Sequence, residues 1–357
     1  MPHIDYGGVE KNIYILSNYL SQNSMQVELL TCNNDMKKMF GKKIQFIGTK
    51  NKFWQKRSKK VKYIICLFLL FLNLLFKNKN TVVFSFQANI YAVLISKLLN
   101  TKIVIRSNTS PQGWSHNYLK NYIYSRVMKF ANCIIVNSLE FKREFYKSYK
   151  LKVKCIYNPF DKDFVNKKLK KKININFYKK NYLNILTVGR LTDQKDHLTI
   201  LKAIKNLKSS FKVRLIIVGD GFKKNELSNY ITDNNIQDKI RLAGYKKNPF
   251  SYIVRSDMII LSSLYEGLPN ILLEAQYLKK YIISTNCPTG PKEILMNGKA
   301  GDLVKIGDYK KITHLLENYS KRKKIINKMI KIGFNNFERF NYSKNCKEYL
   351  NLLTQYF

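Results

Sequence analysis

Apolar runs of strand length alternate with segments of helix length over nearly the whole chain, and no other feature limits the fold as strongly. In the first half the predicted strands lie at 27–31, 44–47, 82–86, 103–106 and 133–136. The helical segments between them lie at 10–20, 61–76, 90–99 and 119–129. Apolar strands separated by helices are typical of parallel sheets that are covered on both faces. The first half is therefore predicted to be a doubly wound α/β domain.

A second series of the same kind begins at Leu183. Its predicted strands lie at 183–188, 214–218, 240–242, 258–261 and 281–284. Its predicted helices lie at 197–206, 223–234, 249–254 and 270–278. Because 357 residues exceed the usual size of one core, we expect two domains. They are predicted at 1–165 and 182–337, with a C-terminal helix at about 340–357 that packs back on the first domain. The most basic stretch, 161–180, is predicted to be a linker or an exposed crossover.

The loop after the first strand of the second series places two cations beside a helix. Gly189 follows that strand directly and permits a tight exit from it. Arg190 and Lys195 then precede the next helix, whose N-terminal N–H groups also favour anions. This pattern suits a phosphate group, although two solvated charges beside a turn would give the same sequence.

Two further glycine-containing segments follow predicted strands. One is Gly219-Asp220-Gly221, and the other is Gly244-Tyr245. Each is explained by a sharp turn alone, so each is weak by itself.

The segment 262–274 carries two glutamates, Glu266 and Glu274, around a Gly-Leu-Pro-Asn turn. Glu274 falls in the first turns of a predicted helix, where a carboxylate can accept two ribose hydroxyls. Glu266 lies in the loop and can address a sugar hydroxyl. The backbone N–H groups at about 268–271 suit a phosphate. The alternative is that Glu274 only complements the helix dipole.

Five segments in order carry a resemblance to a known family: GRLTDQKD, VGDG, LAGY, SSLYEGLPNILLE and STNCPTGPKEIL. Together they resemble family 4 of the retaining glycosyltransferases, and the two glutamates with seven residues between them are the most specific mark. The resemblance implies a GT-B fold, in which two Rossmann-like domains face each other across a cleft. It also implies a nucleotide-sugar site in the second domain.

The resemblance assigns roles to these loops. Arg190 and Lys195 would hold the diphosphate and stabilise the leaving group, and Glu266 would act on the donor sugar near the reacting carbon. Glu274 would bind the ribose. The other implied donor-binding residues are Gly7, Gly8, Gly189, Gly219, Tyr245, Gly267, Leu268, Pro269 and Asn270.

The first half resembles the family less closely. Gly7-Gly8 is similar to an N-terminal glycine loop whose backbone faces the donor diphosphate. Members of the family usually have an apolar strand before this loop, whereas only MPHIDY precedes it here. We therefore expect that the start is truncated or misassigned, or that the first domain lacks its first, central strand. On the acceptor side, His116 and Arg106 are candidates without an assigned role.

No cofactor and no metal are expected, since such enzymes are similar in using fixed cations to neutralise the departing diphosphate. One segment offers an alternative. Asp161-Lys162-Asp163 has the Asp-x-Asp form with which metal-dependent sugar transferases hold a divalent ion. It starts the basic linker, away from any predicted strand end, so a metal role is disfavoured.

The net charge of +41 implies an anionic partner. A phosphorylated substrate and an anionic membrane surface are favoured over nucleic acid, because the basic residues are spread along the chain without a recognised nucleic-acid-binding motif. A membrane patch is predicted around two aromatic residues, at Lys52, Phe53, Trp54, Lys56, Arg57, Lys59 and Lys60. The apolar stretch 63–76 is too short to span a bilayer and is predicted to be a buried helix. No secretory signal opens the chain, so a peripheral position on the cytoplasmic face of the inner membrane is expected.

The predicted function is transfer of a hexose or N-acetylhexosamine from a nucleotide diphosphate, most simply UDP, with retention of configuration. The segment 287–295 resembles members that build lipid-linked oligosaccharides or surface polysaccharides, so such an acceptor is expected. An epimerase-like or phosphorylase-like enzyme of the same architecture is one alternative. A non-enzymatic basic protein that binds membranes or nucleic acid is the other.

Overall fold

The computed structural model describes residues 7–32, 37, 40–49, 52–55, 57–78, 80–108, 117–170 and 175–357. The chain forms two compact units. Unit 1 comprises residues 1–159 and 340–357, and unit 2 comprises residues 160–339.

Unit 1 contains parallel strands and the helices that connect them. Its strands are β1 (Glu28–Leu30), β2 (Gln45–Ile47), β3 (Val82–Ser85), β4 (Lys102–Arg106), β5 (Cys133–Val136) and β6 (Lys154–Cys155). Its helices up to residue 159 are α1 (Gly8–Gln22), α2 (Lys52–Gln55), α3 (Lys59–Leu75), α4 (Asn89–Leu98), α5 (Tyr118–Met128) and α6 (Leu139–Tyr149). Over the described residues, β1 pairs with β2, and the other four strands form a sheet in the order β3-β4-β5-β6.

The four-stranded sheet carries a helix layer on each face. Alternate side chains of a strand point to opposite faces, and β4 shows this clearly. Val104 packs in a cluster with α1, whereas Ile103 and Ile105 pack in a second cluster with α4 and α5. This second cluster also includes Leu70 of α3. Helices α3, α4 and α5 therefore share one layer.

A cavity of about 520 Å³ lies in unit 1 beside β1 and β3, which are not paired with each other in the described ranges. Its walls include Leu29 of β1, Phe84 of β3 and Leu67 of α3. Residues 1–6, ahead of the Gly7-Gly8 turn, lie outside the described residues. The expectation of a missing first strand therefore stays a prediction.

Unit 2 is built on one parallel sheet with the strand order β12-β11-β10-β7-β8-β9. These strands are β7 (Leu183–Val188), β8 (Val213–Val218), β9 (Ile240–Gly244), β10 (Met258–Leu261), β11 (Tyr281–Thr285) and β12 (Asp302–Val304). The helices are α7 (Lys162–Leu169), α8 (His197–Lys205), α9 (Lys224–Asp233), α10 (Phe250–Arg255), α11 (Asn270–Tyr277), α12 (Pro291–Ile294), α13 (Tyr309–Glu317) and α14 (Lys323–Asn335). The two units are parallel α/β halves, as the sequence predicted.

The last helix, α15 (Tyr342–Leu353), belongs to unit 1. Its buried Tyr349 lies in the α1 cluster, and the Nε of buried Arg106 donates to the Tyr349 hydroxyl at 3.0 Å. Arg106, an acceptor-side candidate in the sequence, is thus held inside the core of unit 1.

Two sequence predictions need correction. The stretch 161–180 was predicted to be a linker or an exposed crossover, but it begins with α7, which packs on α10 and buries Val165. Four lysines between 162 and 170 obscured the apolar positions of this helix in the sequence. Helix α3 was predicted to be buried, but only one of its sides is: Ile64 and Phe68 are exposed. Among the helices of the described residues, none is long and apolar enough to cross a membrane.

Candidate functional site

The loops after β7 and β8 touch through their backbones, which explains the glycines of both. A Cβ on Gly219 would lie 1.8 Å from the Gly189 carbonyl oxygen, and one on Gly221 would lie 2.3 Å from the Leu191 carbonyl oxygen. Three backbone hydrogen bonds join the loops. Gly189 N–H donates to the Val218 carbonyl at 3.0 Å, Leu191 N–H donates to the Asp220 carbonyl at 2.9 Å, and Lys223 N–H donates to the Leu191 carbonyl at 3.0 Å. The Gly-Asp-Gly segment is therefore more than a turn. It fixes the backbone from which Arg190 and Lys195 project.

Lys195 and Glu266 form an ion pair at the carboxyl ends of β7 and β10. The Lys195 ammonium binds Glu266 Oε1, and the side chains are only 14% and 8% exposed. The Ser263 hydroxyl donates to the same carboxylate oxygen at 2.6 Å. Residues separated by 71 positions in the sequence are thus brought together, and the charges of both are held in place.

A set of side chain to backbone bonds fixes the loop that carries Glu266. The Gln194 side chain donates to the Tyr265 carbonyl at 2.9 Å, and the Ser262 hydroxyl lies 2.9 Å from the Lys195 carbonyl. The Thr285 hydroxyl at the end of β11 donates to the Ser263 carbonyl at 2.6 Å. Three neighbouring strand ends therefore act as one support for the Lys195–Glu266 pair. Sequence reasoning singled out none of these hydroxyls, because serine and threonine at strand ends have no distinctive spacing.

The loop after β11 approaches the Gly267-Leu268-Pro269-Asn270 turn closely. Gly290 has a φ of +86°, and a Cβ there would lie 1.9 Å from the Gly267 carbonyl oxygen. The Thr289 hydroxyl donates to the Glu266 carbonyl. This contact sets the position of the turn that leads into α11, where Glu274 is buried.

The other predicted donor-site residues are more open. Arg190 is exposed, and no hydrogen bond or ion pair holds its guanidinium within the described part of the chain. Tyr245 follows Gly244 and is 47% exposed, and the Gly244 carbonyl accepts from Gly219 N–H at 3.0 Å. Within the described residues, the Arg190 side chain can therefore reach a ligand without giving up an internal hydrogen bond or ion pair.

Residues predicted from the first half lie elsewhere in the chain. Gly7 is the N-cap of α1 and Gly8 is its first residue, both in unit 1. His116 lies outside the described residues. Asp161 is the N-cap of α7, and its side chain accepts from Phe164 N–H at 2.8 Å. This capping contact accounts for Asp161 without a metal. Within the described ranges, His, Cys, Asp and Glu side chains form no group of three that could hold a metal ion.

His197, the first residue of α8, lies beneath the Gly189–Lys195 loop and was not predicted to matter. Burial, and to a smaller extent the nearby Lys195 ammonium, lowers its pKa from 6.5 to about 4. The imidazole is therefore neutral at pH 7. A neutral ring beside Lys195 avoids placing a second cation behind the ion pair.

We expect the free energy of unfolding to fall as the pH drops from 6.5 toward 4. Over this range His197 becomes protonated in the unfolded chain but stays neutral in the folded protein. Between pH 6.5 and 5 the loss should be about 2 kcal/mol. Urea unfolding at several pH values measures it. In His197→Asn this part of the slope should vanish, and an unchanged slope would contradict the buried neutral state.

Two family models match the chain, one for each half. The model described as Glycosyltransferase Family 4 matches residues 6–164, and Glycosyl transferases group 1 matches residues 167–335. The chain therefore belongs to glycosyltransferase family 4.

Individual proteins are similar over part or all of the chain. An uncharacterized glycosyltransferase of Methanocaldococcus jannaschii is 35% identical over 56% of this chain, which spans about half (53%) of that protein. The N-acetylgalactosamine-N,N'-diacetylbacillosaminyl-diphospho-undecaprenol 4-alpha-N-acetylgalactosaminyltransferase of Campylobacter jejuni is 28% identical over 73% of each chain. The structure of Anabaena HepE in complex with UDP and glucose superimposes with a TM-score of 0.78, covering 99% of this chain and 97% of that one at 14% identity. This structural likeness establishes the GT-B fold.

Proposed function

We propose that this protein is a retaining glycosyltransferase that takes a sugar from a UDP-linked donor bound at the carboxyl edge of the unit 2 sheet. The observation that carries the proposal is the braced Lys195–Glu266 pair, with the exposed Arg190 beside it in sequence. At three strand ends near this pair, glycines lie where a side chain would be too close to neighbouring atoms.

The chemistry follows from charge. Breaking the bond between the anomeric carbon and the diphosphate leaves negative charge on phosphate oxygens. An ammonium has three N–H donors, so Lys195 can keep Glu266 and still donate to a phosphate oxygen. Arg190 adds a planar guanidinium suited to bidentate phosphate contacts. Donors fixed in advance stabilise such charge without reorganising during the reaction.

The two glutamates would bind different parts of the donor. Lys195 and Ser263 hold Glu266 at a single oxygen, which orients its carboxylate toward a sugar hydroxyl or the reacting carbon. Glu274 lies one helical turn into α11 and would accept the ribose hydroxyls. The backbone N–H groups at the start of α11 favour the diphosphate.

The acceptor is proposed to be a lipid-linked oligosaccharide or a polysaccharide precursor. The names of several relatives support this choice, among them a Campylobacter jejuni transferase named for a diphospho-undecaprenol-linked sugar. An Escherichia coli relative, 33% identical over 36% of this chain, is named as a diphosphoundecaprenol galactosyltransferase. Such an acceptor places the enzyme at the cytoplasmic face of a membrane.

A panel of nucleotide sugars, with and without membrane lipid extract, tests the proposal. Consumption of one UDP-sugar that is stimulated by the lipid extract, with an α-linked product from an α-linked donor, is the expected result. Conversion to a free isomeric UDP-sugar would instead indicate an epimerase. No consumption and no UDP binding would favour a non-enzymatic protein.

We expect transfer to continue in EDTA, because Arg190 and Lys195 supply the positive charge that a metal would bring. The initial rate should change less than about twofold. If transfer instead required Mn²⁺ or Mg²⁺ strictly, and Asp161→Ala abolished it, the result would contradict this expectation and restore the Asp-x-Asp alternative.

A further inference from the structure

Helix α3 exposes an apolar stripe from residue 64 to its end. Ile64, Phe68, Leu72 and Leu75 recur at spacings of four and three, and they are 68%, 59%, 37% and 49% exposed. The opposite side of the helix buries Cys66 and Leu74. Because this stripe faces outward, its side chains are not stabilised by packing in the core of unit 1.

The two neighbouring helices continue this surface. On α4, Leu94 and Leu98 are exposed, and on α5, Leu119 and Ile123 are exposed. Helix α3 packs beside α4, and α4 packs beside α5. Since the inner sides of all three helices enter one cluster over the β3–β6 sheet, their outer sides form one surface. We call it the α3–α5 face.

The charges on the α3–α5 face have a single sign. Residues 59–75, 89–98 and 118–128 contain no aspartate and no glutamate. Exposed cations stand among the apolar side chains: the Arg126 guanidinium lies 5.0 Å from the ring centre of Tyr122, and the Lys97 ammonium lies 5.9 Å from that of Phe130. Long cationic side chains over aromatic rings can cover apolar surface while their charges reach outward.

The chain just before α3 adds aromatic residues of the same kind. Helix α2 packs beside α3 and exposes Phe53 and Trp54. The Arg57 guanidinium lies 4.0 Å from the ring centre of Phe53. Amphipathic rings of this type are favoured at the headgroup level of a bilayer.

We propose that the α3–α5 face docks on an anionic lipid bilayer, with the apolar stripe of α3 inserted at the boundary of headgroups and acyl chains. A large apolar patch surrounded by polar residues marks an interaction surface. Cations without acids favour an anionic partner, and they oppose a second copy of the same face, because like charges would then meet. A bilayer offers acyl chains to the apolar stripe and anionic headgroups to the cations.

This mode of binding differs from attraction of an anionic surface by exposed cations alone. Electrostatic attraction of exposed cations weakens as salt screens it. Burial of α3 side chains in the interface does not depend on salt in this way. The α3–α5 face therefore predicts a salt-resistant component of binding that belongs to the stripe, whether or not the proposed transferase activity is correct.

Flotation with vesicles of phosphatidylglycerol and phosphatidylcholine tests the proposal on the full chain. The variant Ile64→Gln/Phe68→Gln/Leu72→Gln changes only exposed positions, and its thermal melting should match that of the wild type. We expect at least about a tenfold higher lipid requirement for half-maximal binding, since three apolar side chains no longer leave water. The matched control is Ile306→Gln/Ile325→Gln, two exposed apolar positions in unit 2, which should bind as the wild type does.

Salt and a depth probe separate the remaining outcomes. At about 0.5 M salt the wild type should keep part of its binding and the α3 variant should keep none. In Trp54→Phe/Trp114→Phe/Phe68→Trp, whose only indole is at position 68, brominated lipids should quench the fluorescence. Unchanged binding by the α3 variant, or no quenching, would overturn the proposal. So would a wild-type dimer in sedimentation velocity that becomes a monomer in the α3 variant, since a second copy would then cover this face.

Discussion

Gly290→Ala is expected to destabilise unit 2 far more than Gly307→Ala. Both glycines have left-handed backbones, with φ of +86° and +75°. An added methyl group at Gly307 meets nothing within 4 Å, whereas at Gly290 it would lie 1.9 Å from a backbone carbonyl oxygen. The strain of the left-handed conformation alone costs about 1–2 kcal/mol. With the clash, the loss at Gly290 should reach about 4 kcal/mol, the range of large single-residue effects.

Urea unfolding followed by far-ultraviolet circular dichroism measures the two losses. Because the loop that must move carries Gly267 and leads into α11, Gly290→Ala should also lose nucleotide binding. Gly307→Ala should keep it. Equal stability of the two variants would contradict the close contact between the loops after β10 and β11.

Lys195→Ala is expected to lower turnover by about 100- to 1000-fold, which corresponds to the loss of one preorganised donor to a developing negative charge. The same change leaves the Glu266 carboxylate buried, with the Ser263 hydroxyl still donating to it. It should therefore also reduce the free energy of unfolding by about 3 kcal/mol, as breaking a buried ion pair does.

Two matched variants separate catalysis from stability. Arg190→Ala removes an exposed cation, so it should lose turnover while keeping wild-type stability. Lys195→Met/Glu266→Gln removes both charges of the pair, so it should recover stability but not activity. Wild-type turnover in Arg190→Ala, Lys195→Ala and Glu274→Ala together would refute the proposed donor site.

The strands of unit 2 could be predicted closely from the sequence, because buried parallel strands are continuous apolar runs. Strands β7 and β10 begin and end where the sequence placed them, at 183–188 and 258–261. Helix α7 could not be predicted, because one buried valine among many lysines gives no helical periodicity. The α3 helix was found, but its composition concealed which side faces out. Exposure depends on the neighbouring α4, which the local sequence does not specify.

For the candidate site, the sequence identified the loops but not their connections. Lys195 and Glu266 were each singled out, yet nothing in the sequence shows that one binds the other. That contact depends on β7 and β10 being neighbours in the sheet. Ser263 and His197 were missed for the same reason, since their significance arises from what packs around them. The roles of Arg190, Glu266 and Glu274 in binding a donor stay predictions.

Calorimetric titration of UDP into the intact protein tests the central claim most directly. We expect one binding site per chain, with affinity at least about tenfold weaker in Arg190→Ala and Glu274→Ala, a loss of about 1.4 kcal/mol or more each. Gly307→Ala should bind as the wild type does. Absence of UDP binding by the folded wild type, or wild-type affinity in both site variants, would contradict a nucleotide-sugar site at the carboxyl edge of the unit 2 sheet.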